Sequence, residues 1–358
     1  MITQQNRHNK MKKQLFVLLA LVLVSLTVSA QKRFSVYAIG FYNLENLFDY
    51  THDEGKNDYE FLPEGSYKWN AMKYEHKLAN MSRVLSEMGT DVLPNVGCAA
   101  IGVSEVENDH VLTDLVNQPS LQKRGFKFCH IEGPDRRGVD CALLYNPKLF
   151  TVKSVKLVPY VPELAKDSLF RTRGFLTVNG LLANEKLTII VCHWPSRFNG
   201  SPYREAAGKQ VRALKDSLQR EDPTMKVIVM GDMNDDPTSK SISEGLSAKG
   251  DINKVGPQDM YNPWYNLLVK EGTGTLRYNG SWNLFDQIIL TPNLLEHKEG
   301  NNPGSLTFWK NQIFRRDYLF QESGKYRGEP KRTTAGGVWL DGYSDHLPVV
   351  VYLKKAVD

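Results

Sequence analysis

Six short stretches of this sequence set acids, amides or imidazoles against apolar runs. They are FYNLEN with Asn43 and Glu45, VSEVEN with Glu105 and Glu107, VCHW with His193, MGDMND with Asp232 and Asn234, FDQIIL with Asp286, and SDH with Asp345 and His346. Alternate residues of a strand point the same way, so Asn43 and Glu45 are expected to share a target, as are Glu105 and Glu107, and Asp232 and Asn234. Taken singly, each is explained by a turn or a helix cap. Glu107 and Asn108, just before DHVLTDL, read as such a cap, and His193 alone reads as a satisfied core histidine. The set exceeds what turns require. Its carboxylate and amide oxygens suit a hard ion such as Mg²⁺ or Mn²⁺. Two histidines beside such an ion meet the needs of phosphate ester hydrolysis: charge neutralisation on the phosphoryl oxygens, a base for water, and donors for the transition state.

Other metal chemistries are excluded by spacing. GDMNDDP starts like a calcium loop at Asp232, Asn234 and Asp236, but its sixth position is Pro237 and its twelfth Ser243, and a strand precedes it. There is no HExxH, and Cys98, Cys129, Cys141 and Cys192 match no CxxC pattern. Cys141 and Cys192 lie in apolar runs and are expected to be buried free thiols.

The elements that must carry these residues are mostly strands. Apolar runs recur as FSVYAIGFYN, AAIGVSEV, KFCHI, VDCALLY, TVKSVKLV, GFLTVNGLL, KLTIIVCH, MKVIVMG, FDQIILT and LPVVVYL. Met72, Glu75, Leu78, Met81, Leu85 and Met88 recur at helical steps over residues 69–88, closed by Gly89. Ser201 as N-cap and Pro202 at the first helical position predict a helix through Gln219. No linker or short repeat divides residues 31–358, which predicts a single α/β domain of mixed sheets with helices outside. His193 and His346 close corresponding strand sets in the two halves, which predicts one shared cleft.

The amino end is a different kind of segment. From Met11, the expected start of translation, Lys12 and Lys13 precede an apolar run that reaches Val28-Ser29-Ala30. A basic head, apolar middle and small-residue end predict a signal peptide over residues 1–30, cleaved after Ala30, hence a secreted or periplasmic protein without a membrane span after cleavage. Removal of that segment takes away four cationic side chains and no acid, leaving a net charge of +1. Net charge therefore does not mark the chain as a nucleic-acid binder, though a local basic patch is compatible with it.

NLEN, SEVEN, the arginine pair of RTRG, CHWPSR, GDMND, FDQIIL and SDHLPV stand in the order seen in the endonuclease/exonuclease/phosphatase superfamily, which includes pancreatic deoxyribonuclease and the abasic-site endonucleases. The resemblance covers roughly residues 34–353. It implies a four-layer α/β/β/α sandwich with the site at one end. It further implies that Asn43 and Glu105 bind metal, with Glu45 nearby and Asp345 completing the environment. Asp232 is then the acid that positions or deprotonates water, and Asn234 the amide on a phosphate oxygen. His346, oriented by Asp286, and His193, with Asp140 as a partner, become the two imidazoles, and Arg171 or Arg173 contacts phosphate. The implied protein is a monomeric Mg²⁺- or Mn²⁺-dependent phosphodiesterase, first of all a nuclease acting on nucleic acid. A phosphatase, a lipid phosphodiesterase of the sphingomyelinase kind and a non-catalytic binding module are the alternatives. Residues 287–344 are longer than in the compact nucleases, and Arg315, Arg316, Lys325, Arg327, Lys331 and Arg332 there would suit a polyanion. Trp194, Trp264, Trp282 and Trp339 near the motifs serve either base stacking or core packing.

Overall fold

A computed structural model describes residues 33–162, 171–278, 280–296 and 304–357, with three isolated positions, 7, 11 and 14. The expected signal peptide lies almost wholly outside the described residues. Contacts separate a large unit, residues 36–355, from a small one of residues 1–35 and 356–358. The described parts of the small unit are chiefly Arg33–Ser35 and the last residues of the final strand.

All ten expected strands form: β1 (Arg33–Leu47), β2 (Cys98–Val106), β3 (Lys127–His130), β4 (Asp140–Tyr145), β5 (Phe150–Val158), β6 (Phe175–Leu182), β7 (Glu185–His193), β8 (Lys226–Asp232), β13 (Asp286–Leu290) and β17 (Val349–Val357). Between them run short strands that apolar periodicity did not signal. These are β9 (Ala248–Lys249), β10 (Met260–Tyr261), β11 (Leu276–Tyr278), β12 (Ser281–Asn283), β14 (Thr307–Ile313), β15 (Thr334–Ala335) and β16 (Val338–Trp339).

One sheet has the order β14-β17-β1-β2-β4-β3 and the other β5-β6-β7-β8-β13-β10-β9, both with parallel and antiparallel neighbours. They meet face to face where β2 and β4 lie on β7 and β8. Gly102 permits that approach, since a Cβ there would lie 2.5 Å from the Met230 sulfur and 3.1 Å from Val191. Fully buried Phe41, Ile101, Val103, Val191, Ile228 and Met230 belong to the shared core. The near-continuous apolar character of these strands follows from this burial on both faces.

Helices cover the outer faces. The Ala71–Glu87 helix is capped by Asn70, whose side chain accepts from the Lys73 amide, and it buries Tyr74, Leu78, Met81 and Leu85. Its inward stripe differs from the expected one at the first turn, where Met72 and Glu75 face solvent. The Ser201–Glu221 helix buries Ala207 and Val211 against Val227 and Val229 of β8. Its N-cap is Gly200 at φ 73° rather than Ser201. All four cysteines are buried and free. Among the described residues no helix is long and apolar enough to cross a membrane.

Candidate active site

Three of the polar residues are aligned by register alone. In the second sheet His193 of β7 and Asp286 of β13 both pair with Asp232 of β8, so the three lie side by side at one end of adjacent strands. Gly231 makes this row possible, because a Cβ there would lie 2.1 Å from the Cys192 carbonyl oxygen. β1, β2 and the segment leading into β17 bring Asn43, Glu105 and His346 to the same place.

Asp232 Oδ2 is the hub. Asn43 donates its amide to it at 3.0 Å, and the Nε2 atoms of His193 and His346 lie 3.7 and 3.8 Å away. The Asn43 amide is also 3.3 Å from Glu105 Oε1, which in turn is 3.7 Å from His193 Nε2. His346 Nδ1 lies 2.7 Å from Asp286 Oδ2, an oxygen that also accepts from the Thr275 hydroxyl. The two histidines thus do share one cleft. Asp286 and His346 meet, as the resemblance implied, across the sandwich, from β13 and from the segment leading into β17.

Backbone conformation breaks the expected alternation at these positions. Glu45 (φ 48°), Glu105 (φ 61°) and Asn234 (φ 50°) all occupy the left-handed region, and β1 and β2 lose register between Asn43 and Leu47. Non-glycine residues in that region carry strain that surrounding contacts must hold. The consequence is that members of each pair go different ways. Glu107 accepts from the Asp49 amide, away from Glu105. Glu45 accepts from the Thr333 amide at 2.6 Å and from Arg332 Nε at 3.1 Å. Arg332 also bonds Asp345, so both carboxylates expected beside a metal face a guanidinium. The Asn234 side-chain amide donates to the Trp194 carbonyl at 3.0 Å, and its backbone N–H donates to Asp232 Oδ1 at 2.8 Å.

The expected partnership of Asp140 with His193 is not made. Asp140 accepts from the Gly133 amide and lies 3.5 Å from His130, while His193 Nδ1 is buried without a hydrogen-bond partner. Of the two arginines, Arg171 is exposed and Arg173 is buried, donating to Asp135 and to the Trp194 carbonyl. The basic insertion is not one free face. Arg315 lies against Trp282 and donates to Thr273, and Arg316 pairs with Asp91, which leaves Lys325 and Arg327 exposed. Trp194 and Trp264 fill the core, while Trp282 and Trp339 are half-buried. Thr275, Lys77 and Arg332 were not foreseen as site neighbours, because nothing local in sequence ties them to the motifs.

Charge is distributed unevenly between the two imidazoles. Burial, then the Arg173, Arg137 and His346 charges, push His193 well below its ordinary pKa. Burial would also lower His346, but Asp286 and Asp232 outweigh it and hold that ring well above its ordinary value. Burial raises Asp232 to about 7, opposed by His346 and reinforced by Asp286 and Glu105. One neutral and one readily protonated imidazole therefore flank the same carboxylate. This divides acid from base by environment.

The donor set fits a divalent cation. Glu105, His193 and Asp232 each offer a ligand atom, all within 4.8 Å of one another. A desolvated Asp232 pressed among Asp286 and Glu105 is the arrangement whose cost a bound cation offsets.

Residues 38–355 match the Endonuclease/Exonuclease/phosphatase family model, and the chain belongs to that family. Its members include hydrolases of phosphoester bonds that use divalent metals. No curated protein matches in sequence. Among solved structures, an endonuclease/exonuclease/phosphatase family protein of Bacteroides thetaiotaomicron is 15% identical, with a TM-score of 0.53 over 91% of this chain and 98% of that one. The mannosyl-6-phosphatase of Bacteroides thetaiotaomicron is 16% identical, with a TM-score of 0.52 over 88% and 99%. TDP2 of D. rerio complexed with single strand DNA product is 14% identical, with a TM-score of 0.51 over 89% and 99%. At these identities the three structures show the α/β/β/α fold.

Proposed function

We propose that this chain is an exported, Mg²⁺- or Mn²⁺-dependent phosphodiesterase that cleaves nucleic acid. The observation that carries the hydrolytic reading is the convergence of Asn43, Glu105, His193 and His346 on Asp232, from strands distant in sequence. Support for nucleic acid comes from the structural likeness to TDP2 in complex with single strand DNA product. Glu105, Asp232 and His193 would hold the ion, and the imidazole favours Mn²⁺ acceptance alongside Mg²⁺. When bound, it neutralises charge on the phosphoryl oxygens. The chain's own residues do the rest. Asp232 orients water for in-line attack on phosphorus and takes its proton, and His346, held protonatable by Asp286, gives a proton to the leaving oxygen as the P–O bond breaks. His193, neutral, completes the ion's environment. The basic, apolar leader of residues 1–30 supports export of a monomer cleaved after Ala30.

The test is hydrolysis of plasmid DNA, single-stranded RNA, bis-p-nitrophenyl phosphate and p-nitrophenyl phosphate by the purified mature chain, with Mn²⁺ or Mg²⁺ and with EDTA. Metal-dependent cleavage of nucleic acid and the diester is expected. Cleavage of the monoester alone makes the enzyme a phosphatase, and full activity in chelator removes the metal mechanism.

A further inference from the structure

At the edge of the second sheet lies a cavity of about 520 Å³ that no motif residue explains. Lys249 and Asp251 at the end of β9, Lys254, Tyr261 of β10, Tyr265 and Lys270 line it. Tyr261 pairs with Leu290, the residue of β13 farthest from Asp286, which sets the cavity about 13 Å along that strand from the hub. It is a place separate from the catalytic cluster.

Among the described residues, none of these three lysines meets a carboxylate, whereas Lys56, Lys186, Lys226 and Lys355 elsewhere each do. Asp251 is the one acid among the described lining residues, and its side chain is engaged in accepting from the Asn253 amide. Three cations against one acid leave a positive basin that attracts an anion. Two of its walls are aromatic. The Tyr265 ring rests on Gly250, where a Cβ would lie 2.3 Å from its Cγ, so the place of the ring depends on that glycine. Tyr261 is set by its pairing with Lys249 and by an edge contact with Phe308, 5.6 Å between ring centroids. Burial and then the Asp251 charge hold the Tyr261 phenol above its ordinary pKa, so it stays a donor.

We propose that this cavity is a second, non-catalytic binding site for a phosphate carried on a planar base: a free nucleotide or a nucleotide unit of a strand. Lysine ammoniums serve phosphate as point charges, and tyrosine faces offer a stacking surface that any base can use. The volume is in the range of pockets that take small ligands. Neither half of the site suffices alone, because inorganic phosphate leaves the rings unused and a nucleoside leaves the ammoniums unused. The site goes beyond the hydrolytic reading of the hub, and no covalent step occurs in it.

Binding to the full chain in EDTA tests this with the hub silent. Adenosine 5′-monophosphate, followed by calorimetry, is expected to bind at least about tenfold more tightly than adenosine, inorganic phosphate or glucose 6-phosphate. The triple variant Lys249→Ala, Lys254→Ala, Lys270→Ala should weaken that binding by at least about tenfold, as should Gly250→Ala, which displaces the Tyr265 ring. The three lysines are exposed or half-buried, so the triple variant keeps the test sharp if Gly250→Ala fails to fold. Hydrolysis of bis-p-nitrophenyl phosphate in Mn²⁺ should be unchanged in the triple variant. A single-stranded oligothymidylate that displaces the mononucleotide identifies a strand as the source, and one that does not identifies a free nucleotide. Undiminished binding in the triple variant places the nucleotide elsewhere and overturns the proposal. So does glucose 6-phosphate or inorganic phosphate that binds as tightly as the nucleotide, and so does a wild type that binds no nucleotide. Because binding is read without metal, an inactive hub leaves this result unmoved, and the two readings fail separately.

Discussion

Two acid–histidine clusters lie near each other in this fold, and only one is built for chemistry. At the hub, Asn43, Glu105, His193, Asp286 and His346 gather around Asp232. Around Asp49, a second cluster joins His52 to Asp58 at 2.5 Å and His110 to Asp49 at 3.3 Å, with Glu107 close by. A shifted carboxyl does not tell them apart. Burial raises Asp232 to about 7 at the hub, and burial, reinforced by Asp49, Asp53 and Asp58, raises Glu107 to about 8 in the other cluster. What differs is the partners. In the second cluster, carboxylates accept from backbone amides: Asp49 from Thr51, Asp58 from Asp53 and Glu107 from Asp49. That is turn and cap chemistry. At the hub, side chains 189, 62 and 60 residues apart bond one another. Several side chains gathered on one carboxylate oxygen, rather than perturbed acidity, mark the reactive cluster.

The largest expected effect comes from the hub itself. Asp232→Asn keeps the shape but removes the base, and should lower kcat by about 10⁴, the upper end for a positioned acid–base group. Rates on bis-p-nitrophenyl phosphate at saturating metal check this, with circular dichroism to confirm folding. A loss under tenfold would erase the distinction between the clusters.

The second cluster should answer in stability instead. Asn108 caps the Asp109–Val116 helix by accepting from the Val111 amide. Asn108→Ala should cost about 1 kcal/mol in denaturant unfolding and leave kcat within a factor of two.

A further effect in the second cluster is a pH dependence at Glu107. Its folded pKa, about 8, lies above the unfolded value, so the ionised carboxyl opposes folding. The stability tied to its protonated form is complete below the unfolded pKa, near 4.3, and is lost as pH rises through 8. Glu107→Gln, which mimics the protonated form, should match wild type at pH 4 and become the more stable of the two as pH rises to 9. A stability difference that stays flat across this range would show that Glu107 is not buried as an acid.

Much of this contrast was legible in the sequence, and its failures share one cause. The strands were readable because burial on both faces demands unbroken apolar runs, as in KLTIIVCH and MKVIVMG. β14 was not, since TFWKNQI, at a sheet edge, buries only its first and last residues. Asp232, Asp286 and the two histidines were readable as a set because strand ends concentrate polar groups. Their aim was not. Alternation assigned Glu45 to the target of Asn43, and Glu107 to that of Glu105, but left-handed residues at Glu45 and Glu105 turn the chain. Arg332 looked like one of six loop cations, and only its bonds to Glu45 and Asp345 separate it from Lys325 and Arg327.

The most direct test of convergence as function is a double-mutant cycle on Asp286 and His346, which are 60 residues apart in sequence and 2.7 Å apart in space. His346→Ala and Asp286→Asn should each lower kcat by about 10² to 10⁴. If the carboxylate works by fixing the ring's tautomer and basicity, the double variant should be little slower than the slower single one. Losses that multiply would contradict the account and return Asp286 to a purely structural place beside Thr275.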